Sequence, residues 1–235
     1  MKDLHYIQLN ILRKLLFSSS LRFSELRPKD IENNLLTFHI DQLIRDKLIE
    51  KVDDKYQLTQ KGKEFANRMD TDKVEIKPQG KIGAIECCIR NTGDELEFLA
   101  YTRLKHPFYG SQGYSSGKVQ YGEKTIEAAK RELKEETNLD GNPELFMIEH
   151  HLVYDKVTKQ LLEDKFFFFY RFVNPTGELD ANEEGKFEWI KESNLKNYFK
   201  KPFETLERIL YVTERLKDMK GALTYAEIIH YADNF

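Results

Sequence analysis

Glu135 and Glu136 follow Glu132 by three and four residues in a segment that predicts a helix. Side chains at these spacings are neighbours on a helix, so the carboxylates repel one another and weaken an isolated helix by roughly 0.2–0.5 kcal/mol per pair. A cation is therefore expected beside them. Hard divalent ions such as Mg2+ take oxygen ligands, usually one or two carboxylates with water and substrate phosphates. The spacing indicates metal-dependent phosphate chemistry, with a solvated acidic helix face as the alternative.

The residues that flank these glutamates favour the metal site over the solvated face. A glycine opens the segment, a further glutamate follows it, an arginine directly precedes Glu132, and apolar residues hold fixed positions between the charged ones. The complete pattern consists of Gly117, Glu123, Arg131, Glu132, Leu133, Glu135, Glu136, Asn138 and Leu139.

This pattern resembles the Nudix box. It matches the motif of that family at every fixed position except one, where Asn138 stands in place of the family's glycine. A glycine just past a helix commonly adopts the left-handed conformation that closes the last turn, and asparagine is its usual substitute. We therefore expect Asn138 to preserve the loop–helix–loop with little effect on the chemistry.

The resemblance implies an activity and a cofactor. Members of the family hydrolyse a pyrophosphate bond in a nucleoside diphosphate linked to another group, with Mg2+ or Mn2+. Such ions neutralise the phosphates and lower the pKa of the attacking water. Arg131 is expected to orient a carboxylate, most simply that of Glu123, through a charge-assisted hydrogen bond. The metal ligands implied by the resemblance are Glu132, Glu135, Glu136 and the backbone carbonyl of Gly117.

A further glutamate is implied by relatives that supply one from a loop before a tryptophan-containing strand. Here Glu183 and Glu184 precede Trp189, and either is a candidate ligand or general base. We favour Glu183, with an acidic surface turn as the alternative. The identity of the base varies within the family.

Substrate contacts are expected from the segment just before the box, which combines cations with aromatic rings. Cations suit phosphates and rings suit a nucleobase, although the two rings are also suited to packing beneath the loop. The candidate substrate-binding residues are Arg103, Lys105, Phe108 and Tyr109.

The composition fits two folded domains. The chain has 235 residues, of which 40% are hydrophobic and 33% charged, so it can bury a sizeable core, and the composition favours folded domains over disorder. Its longest purely apolar run, Phe166–Tyr170, is too short to cross a bilayer, and no signal segment opens the chain. The adjacent Cys87 and Cys88 are expected on opposite faces of a strand, which suits reduced thiols. We expect a cytoplasmic protein with no membrane partner.

The order of predicted elements indicates an N-terminal winged helix-turn-helix domain in residues 1–70, a polar linker in 71–80 and a Nudix domain in 81–235. Helical patterns at 4–17, 23–26 and 31–48 precede a hairpin, and Thr59 is suited to cap a closing helix. The string Lys55–Phe65 resembles the wing exit of many bacterial regulators.

DNA is one candidate partner of this N-terminal domain, and a protein is the other. Residues 1–75 hold 14 Lys and Arg against 13 Asp and Glu, whereas duplex binding depends on a concentrated basic surface. The candidate DNA contacts on the third helix are Asn33, Asn34, Thr37 and His39.

The C-terminal part predicts strands at 82–90, 95–103, 144–154, 166–173 and 186–190, and helices at 202–216 and 224–231. The expected fold class is thus α+β, with an α/β/α sandwich around a mixed sheet implied by the resemblance. Two functions remain open. One is a Nudix hydrolase acting on a nucleotide pyrophosphate such as ADP-ribose or an NDP-sugar. The other is a nucleotide-sensing transcriptional regulator whose Nudix domain binds the effector. Homodimers are common among winged-helix proteins and Nudix enzymes, so a homodimer is expected.

Overall fold

A computed structural model of the chain describes residues 4–28, 31–180, 183–217 and 223–232. The chain divides into two compact units, Met1–Gln79 and Gly80–Phe235. Both units combine helices with strands, so the predicted α+β class is confirmed.

The first unit is built on two amphipathic helices. Each carries apolar residues at helical spacing, such as Ile7 and Ile11 on the first and Leu36 and Ile40 on the second, and these are buried in one core. The elements are α1 Tyr6–Leu16, β1 Leu21–Arg22, α2 Phe23–Leu26, α3 Asn33–Arg45, β2 Ile49–Val52, β3 Lys55–Leu58, α4 Gln60–Ala66, β4 Met69–Asp70 and β5 Glu75–Ile76.

Strands β2 and β3 form the predicted hairpin, and β1 adds to the free edge of β3, giving an antiparallel sheet in the order β1-β3-β2. Thr59 caps α4 as expected, because its hydroxyl oxygen accepts a hydrogen bond from the backbone N–H of Gly62 at 3.0 Å.

The segment expected to be a linker, residues 71–80, is partly ordered into the first unit. Strands β4 and β5 pair antiparallel, with Met69 opposite Ile76. Met69 is buried, and Val74 and Ile76 pack against the core of this unit. Packing against the core removes the apolar surface of these side chains from water. This burial favours the hairpin in an otherwise polar stretch.

The second unit contains one mixed sheet. Successive side chains of each strand point to opposite faces of this sheet, and both faces are covered by helices. Strands β6 and β7 are therefore buried along most of their length. The elements are β6 Lys81–Asn91, β7 Leu96–Arg103, β8 Gln112–Gly113, β9 Ser115–Lys118, α5 Thr125–Thr137, β10 Pro143–Asp155, β11 Leu161–Val173, β12 Gly185–Lys191, α6 Leu195–Tyr198, α7 Leu206–Lys217 and β13 Thr224–Ala232.

The strand order is β12-β7-β6-β11-β10-β13, with β8 beside β7 and β9 beside β6. Strand β6 changes partner along its length: residues 89–91 pair with β7, and residues 83–86 pair with β9. This change of partner brings Ser115 and Gly117 beside the middle of β6, under the helix that carries the glutamates.

Helices cover both faces of the sheet. Cys87 packs with α6 and α7 in one core, and Cys88 packs with α5 in the other. Both thiols are free and buried, and they point to opposite faces as the sequence predicted. Strand β6 is thus the middle of an α/β/α sandwich.

One element differs in type from the prediction. Residues 224–231 were expected to be helical, but they form β13, which pairs in parallel with β10 at the edge of the sheet. Tyr225, Ile229 and Tyr231 are residue types that favour strands, and exposure alternates along the segment. The helix expected at 202–216 begins only at Leu206.

Within the described residues, the structure has no helix that combines the length and the apolar character needed to cross a membrane.

Candidate active site

Helix α5 presents one face to the sheet and another to the candidate site. Ala128, Ala129 and Leu133 are buried against the strands, at the spacing of one helical stripe. The helix ends at Asn138, whose φ of 59° is left-handed, the conformation predicted for this residue at the end of the helix. Its side-chain amide also donates to the carbonyl of Glu178 at 3.3 Å.

Arg131 joins three glutamates on one side of this helix. Its guanidinium donates to both carboxylate oxygens of Glu123, at 2.8 and 2.9 Å. It also donates to Glu132 at 2.7 Å and to Glu135 at 3.0 Å, and to the backbone carbonyl of Lys118 at 3.0 Å. Hydrogen bonds from Arg131 hold the pKa of Glu123 at about 2. The arginine therefore orients the carboxylates and ties the preceding loop to the helix.

Glu136 lies on the more enclosed side of the helix. Burial, and next the negative charge of Glu132, raise its pKa to about 7, while Lys105 and Arg103 act in the opposite direction. Among the described residues its buried Oε2 atom finds no hydrogen-bond partner. The side chain of Glu135, in contrast, is more than half exposed and forms an ion pair with Arg131.

Gly117 is required by close packing. It pairs with Ala84 across the β6–β9 ladder, and a Cβ atom at this position would overlap the side chain of Glu132. Only glycine lets the Glu132 carboxylate approach the backbone of β9.

Glu86 belongs to the same cluster, and the sequence analysis missed it. It lies on β6 with 1% of its surface exposed, and its Oε2 accepts a hydrogen bond from the Ser115 hydroxyl at 3.2 Å. Burial, and then the charges of Glu136 and Glu132, raise its pKa well above the ordinary range. A single acidic residue inside the apolar run 82–89 was the signal that could have revealed it.

The oxygen atoms of these carboxylates are the kind of ligand that a hard divalent cation takes. In the described part of the chain, no three His, Cys, Asp or Glu side chains are arranged as a ready metal cage, and Arg131 holds one oxygen of Glu132 and one of Glu135. The donor set nevertheless fits a hard cation. Glu86 and Glu136 each hold a buried oxygen without a partner, and such oxygens are costly unless a proton or cation satisfies them.

Cationic side chains lie beside this cluster. The positive charges of Arg103 and Lys105 both act on Glu136, and Lys105 forms an ion pair with Glu184. Arg103 is anchored by a 2.6 Å hydrogen bond from its Nε to the carbonyl of Pro107. Lys118, next to Gly117 in sequence, also contributes positive potential at Lys105. The sequence analysis did not predict Lys118 as a residue of the site.

The two aromatic candidates differ in environment. The ring of Phe108 packs edge-on against Phe203, with 6.2 Å between centroids. Tyr109 is 52% exposed and its ring lies 5.7 Å from that of His106. Tyr109 is therefore the ring that remains accessible to a ligand.

Glu183 and Glu184 are both exposed in the loop before β12, and Glu184 is the one that forms the ion pair with Lys105. The backbone carbonyl of Glu184 accepts a hydrogen bond from the N–H of Leu104 at 2.9 Å, which fixes this turn next to the Arg103–Lys105 segment.

In the first unit, three of the four predicted DNA contacts are exposed on α3: Asn33, Asn34 and Thr37. The structure contradicts the assignment of His39. Its side chain is 5% exposed and stacks on His5 at 4.6 Å between ring centroids, so it lies out of reach of DNA.

The α/β/α sandwich, with the carboxylate-bearing helix α5 packed over Gly117 of β9, defines a Nudix-type domain. The NUDIX domain model matches residues 81–209, more than half of the chain, and the chain belongs to this family. No curated protein matches the chain.

Among solved structures, the NUDIX domain of Shewanella oneidensis NrtR complexed with ADP ribose is 16% identical, with a TM-score of 0.50 over 65% of this chain and 97% of that one. The MutT protein of Bacillus halodurans is 23% identical, with a TM-score of 0.48 over 64% of this chain and 92% of that one. A bifunctional NMN adenylyltransferase/ADP ribose pyrophosphatase from Francisella tularensis, complexed with AMP and a Mn ion, is 17% identical, with a TM-score of 0.47 over 76% of this chain and 52% of that one. The likeness to the first of these shows the shared fold.

Proposed function

We propose that this protein is a divalent-metal-dependent hydrolase that cleaves the pyrophosphate bond of a nucleoside diphosphate linked to another group. The observation that carries the proposal is the environment of Glu136. Its carboxylate is largely enclosed and, among the described residues, has a buried oxygen without a hydrogen-bond partner. The negative charge of Glu132 and the positive charges of Arg103 and Lys105 all act on it. Such an arrangement suits a metal ion on one side and phosphates on the other.

In this proposal Glu132, Glu135, Glu136 and the backbone carbonyl of Gly117 hold Mg2+ or Mn2+. When bound, the ion supplies charge neutralisation for the phosphates and acidifies the attacking water. Arg131 is a positioning residue, because it fixes one oxygen of Glu132 and leaves the other directed toward Gly117. A ligand held in one orientation loses less entropy when it binds.

The remaining assignments concern the substrate and the proton. Arg103 and Lys105 bind the phosphates, and the accessible ring of Tyr109, with Phe108 packed nearby, stacks on the base. Glu183 is retained as general base, with Glu184 as the alternative because it pairs with Lys105. An exposed carboxylate next to the phosphate site is suited to accept a proton from water.

The substrate class is tested by hydrolysis of a panel with Mg2+ or Mn2+: ADP-ribose, NDP-sugars, nucleoside triphosphates and dinucleoside polyphosphates. ADP-ribose comes first, because the NrtR domain from Shewanella oneidensis was crystallised with it. Turnover of at least one member supports the proposal. Absence of turnover across the panel, in a protein that binds one of the nucleotides, favours a sensor.

The sensor is the second candidate, and the first unit is the observation that favours it. Its order of α1, β1, α2, α3 and the β2–β3 hairpin supports the predicted winged helix-turn-helix, and Asn33, Asn34 and Thr37 are exposed on the third helix. Binding to the DNA upstream of its own gene, with an affinity that falls as salt rises and that changes with nucleotide, tests this role.

Two further expectations belong to the same proposal. The free, buried thiols of Cys87 and Cys88 suit a reducing cytoplasmic compartment. A homodimer is expected, and sedimentation velocity measures it directly.

A further inference from the structure

The floor of the candidate active site contains one acidic side chain that lies outside the family motif. Residues 84 and 86 of β6 face the same side of the sheet as residues 115 and 117 of β9, because side chains alternate along a strand. Helix α5 packs on this side. Ala84 and Gly117 are small residues on this side, so they leave space between the sheet and the helix. Glu86 is the acidic residue whose side chain enters this space from the sheet.

The surroundings of Glu86 leave one of its oxygens unsatisfied. Its Oε2 accepts the hydrogen bond from Ser115, while among the described residues its Oε1 has no hydrogen-bond partner although the atom is fully buried. The charged groups that act on it are Glu136 and Glu132, both negative. A carboxylate enclosed in this way is strongly unfavourable unless a proton or a cation neutralises it.

Glu136 also has an unsatisfied oxygen, because its Oε2 is buried and lacks a hydrogen-bond partner in the described part of the chain. Arg131 does not relieve either atom, because its hydrogen bonds go to Glu123, Glu132 and Glu135. Two unsatisfied oxygens, one from the strand and one from the helix, therefore remain on the inner side of the site.

We propose that Glu86 is a further carboxylate ligand of the divalent-cation site, which it completes from the sheet side together with Glu132 and Glu136 on the helix. This inference rests on the proposed function. It extends the ligand set beyond the motif, and it explains why the hydroxyl of Ser115 steadies one oxygen of Glu86 while the other is left available. Oxygen ligands from two elements enclose a hard cation more completely than ligands from one helix.

The test is Mn2+ binding to the full-length protein, measured by calorimetry and by the loss of the free-ion signal in electron paramagnetic resonance. Glu86→Gln keeps the shape and removes the charge, and we expect it to weaken Mn2+ binding at least tenfold. Without metal, the variant should unfold at the same or a higher temperature than wild type, because the neutral amide does not have to be held protonated in this buried, negatively charged environment. With saturating Mn2+ that order should reverse.

Glu97→Gln is the matched control. Glu97 is also a buried glutamate on the central sheet, but it pairs with Arg90 at 2.6–2.7 Å. We expect this variant to lose thermal stability and to retain wild-type Mn2+ affinity. Glu86→Asp, which keeps the charge but withdraws the carboxylate by one methylene, should bind Mn2+ with an intermediate affinity, and it provides the measurement if Glu86→Gln does not fold.

Equal Mn2+ affinity in wild type and folded Glu86→Gln would overturn this inference, as would equal affinity in Glu86→Asp if only that variant folds. The proposed function fails in a distinguishable way. A wild-type protein that binds Mn2+ but hydrolyses nothing in the panel removes the hydrolase and leaves Glu86 as a ligand. A wild-type protein that binds no Mn2+ removes both.

Discussion

Arg131 and Glu123 are joined by two parallel hydrogen bonds, from Nε to Oε1 at 2.8 Å and from the terminal nitrogen to Oε2 at 2.9 Å. This paired geometry belongs to arginine and carboxylate, because the planar guanidinium matches the two oxygens. The bonds tie the loop that follows β9 to the middle of α5. The same guanidinium reaches Glu132, so the position of a proposed ligand depends on a glutamate that does not itself touch the metal site.

Arg131→Lys tests that dependence. Lysine keeps the charge but cannot make the paired hydrogen bonds, so we expect kcat to fall by about 10–100-fold and Mn2+ affinity to weaken, as for other groups that orient metal ligands. The measurement is steady-state kinetics on the best substrate of the panel. Arg90→Lys is the control, since Arg90 pairs with Glu97 elsewhere in the domain. If both variants lose the same activity, the effect is one of general stability.

Glu136→Gln should abolish metal-dependent turnover and leave the fold intact. The change removes one charged ligand without altering the shape of the side chain, and its partner-free oxygen shows that no internal hydrogen bond is lost at that atom. Turnover and circular dichroism of the two proteins give the answer. Glu127→Gln, an exposed position on the same helix, should behave as wild type. Normal activity in Glu136→Gln would refute the metal assignment.

The metal-free protein should become less stable as pH rises from about 4.5 to about 7. Glu136 has a pKa raised to about 7 in the folded state, so folded protein keeps a proton that the unfolded chain releases near pH 4.5. The free energy of unfolding therefore falls across this window, by at most about 3 kcal/mol from this group. Urea unfolding with chelator present, at several pH values, measures it.

The matched measurement uses Glu136→Gln, which lacks the titrating group. The unfolding free energy of wild type minus that of the variant should decrease from pH 4.5 to 7 and then stay constant. A difference that does not change with pH would show that Glu136 ionises as an ordinary exposed glutamate.

Substitutions at Asn138 should affect stability without affecting chemistry. Its left-handed φ of 59° suits glycine and asparagine, so Asn138→Ala should destabilise the protein by about 1 kcal/mol. Asn138→Gly should stay within about 1 kcal/mol of wild type, because relief of strain offsets the lost bond to Glu178 and the entropy of glycine. Denaturant unfolding and kcat/KM are the two measurements, and a large loss of turnover in Asn138→Gly would contradict this view.

Substitutions on α3 should separate fold from partner binding. His39→Ala removes a buried ring that stacks on His5, and we expect it to lower stability by about 1–2 kcal/mol. Asn34→Ala and Thr37→Ala are at exposed positions and should change stability by less than about 0.5 kcal/mol while weakening DNA binding in a gel shift. Unchanged DNA affinity in both would remove the DNA-contact assignment.

Local features of the sequence determined the helix α5, its glutamates and its asparagine cap. These depend on contacts three to four residues apart and on one backbone conformation, both of which are fixed by neighbouring residues. The β2–β3 hairpin and the opposite orientations of Cys87 and Cys88 followed in the same way, from a short turn and the two-residue repeat of a strand.

Tertiary structure alone decided the rest. Glu86 enters the site because the ladder between β6 and β9 places Ser115 beside it and α5 above it, 46 residues or more along the chain from its acidic neighbours Glu132 and Glu136. Residues 224–232 became strand β13 because β10 offers a free edge, and a short apolar segment does not by itself distinguish helix from strand. Pairings between distant segments carry no signature in local sequence, so their consequences appear only in the folded chain.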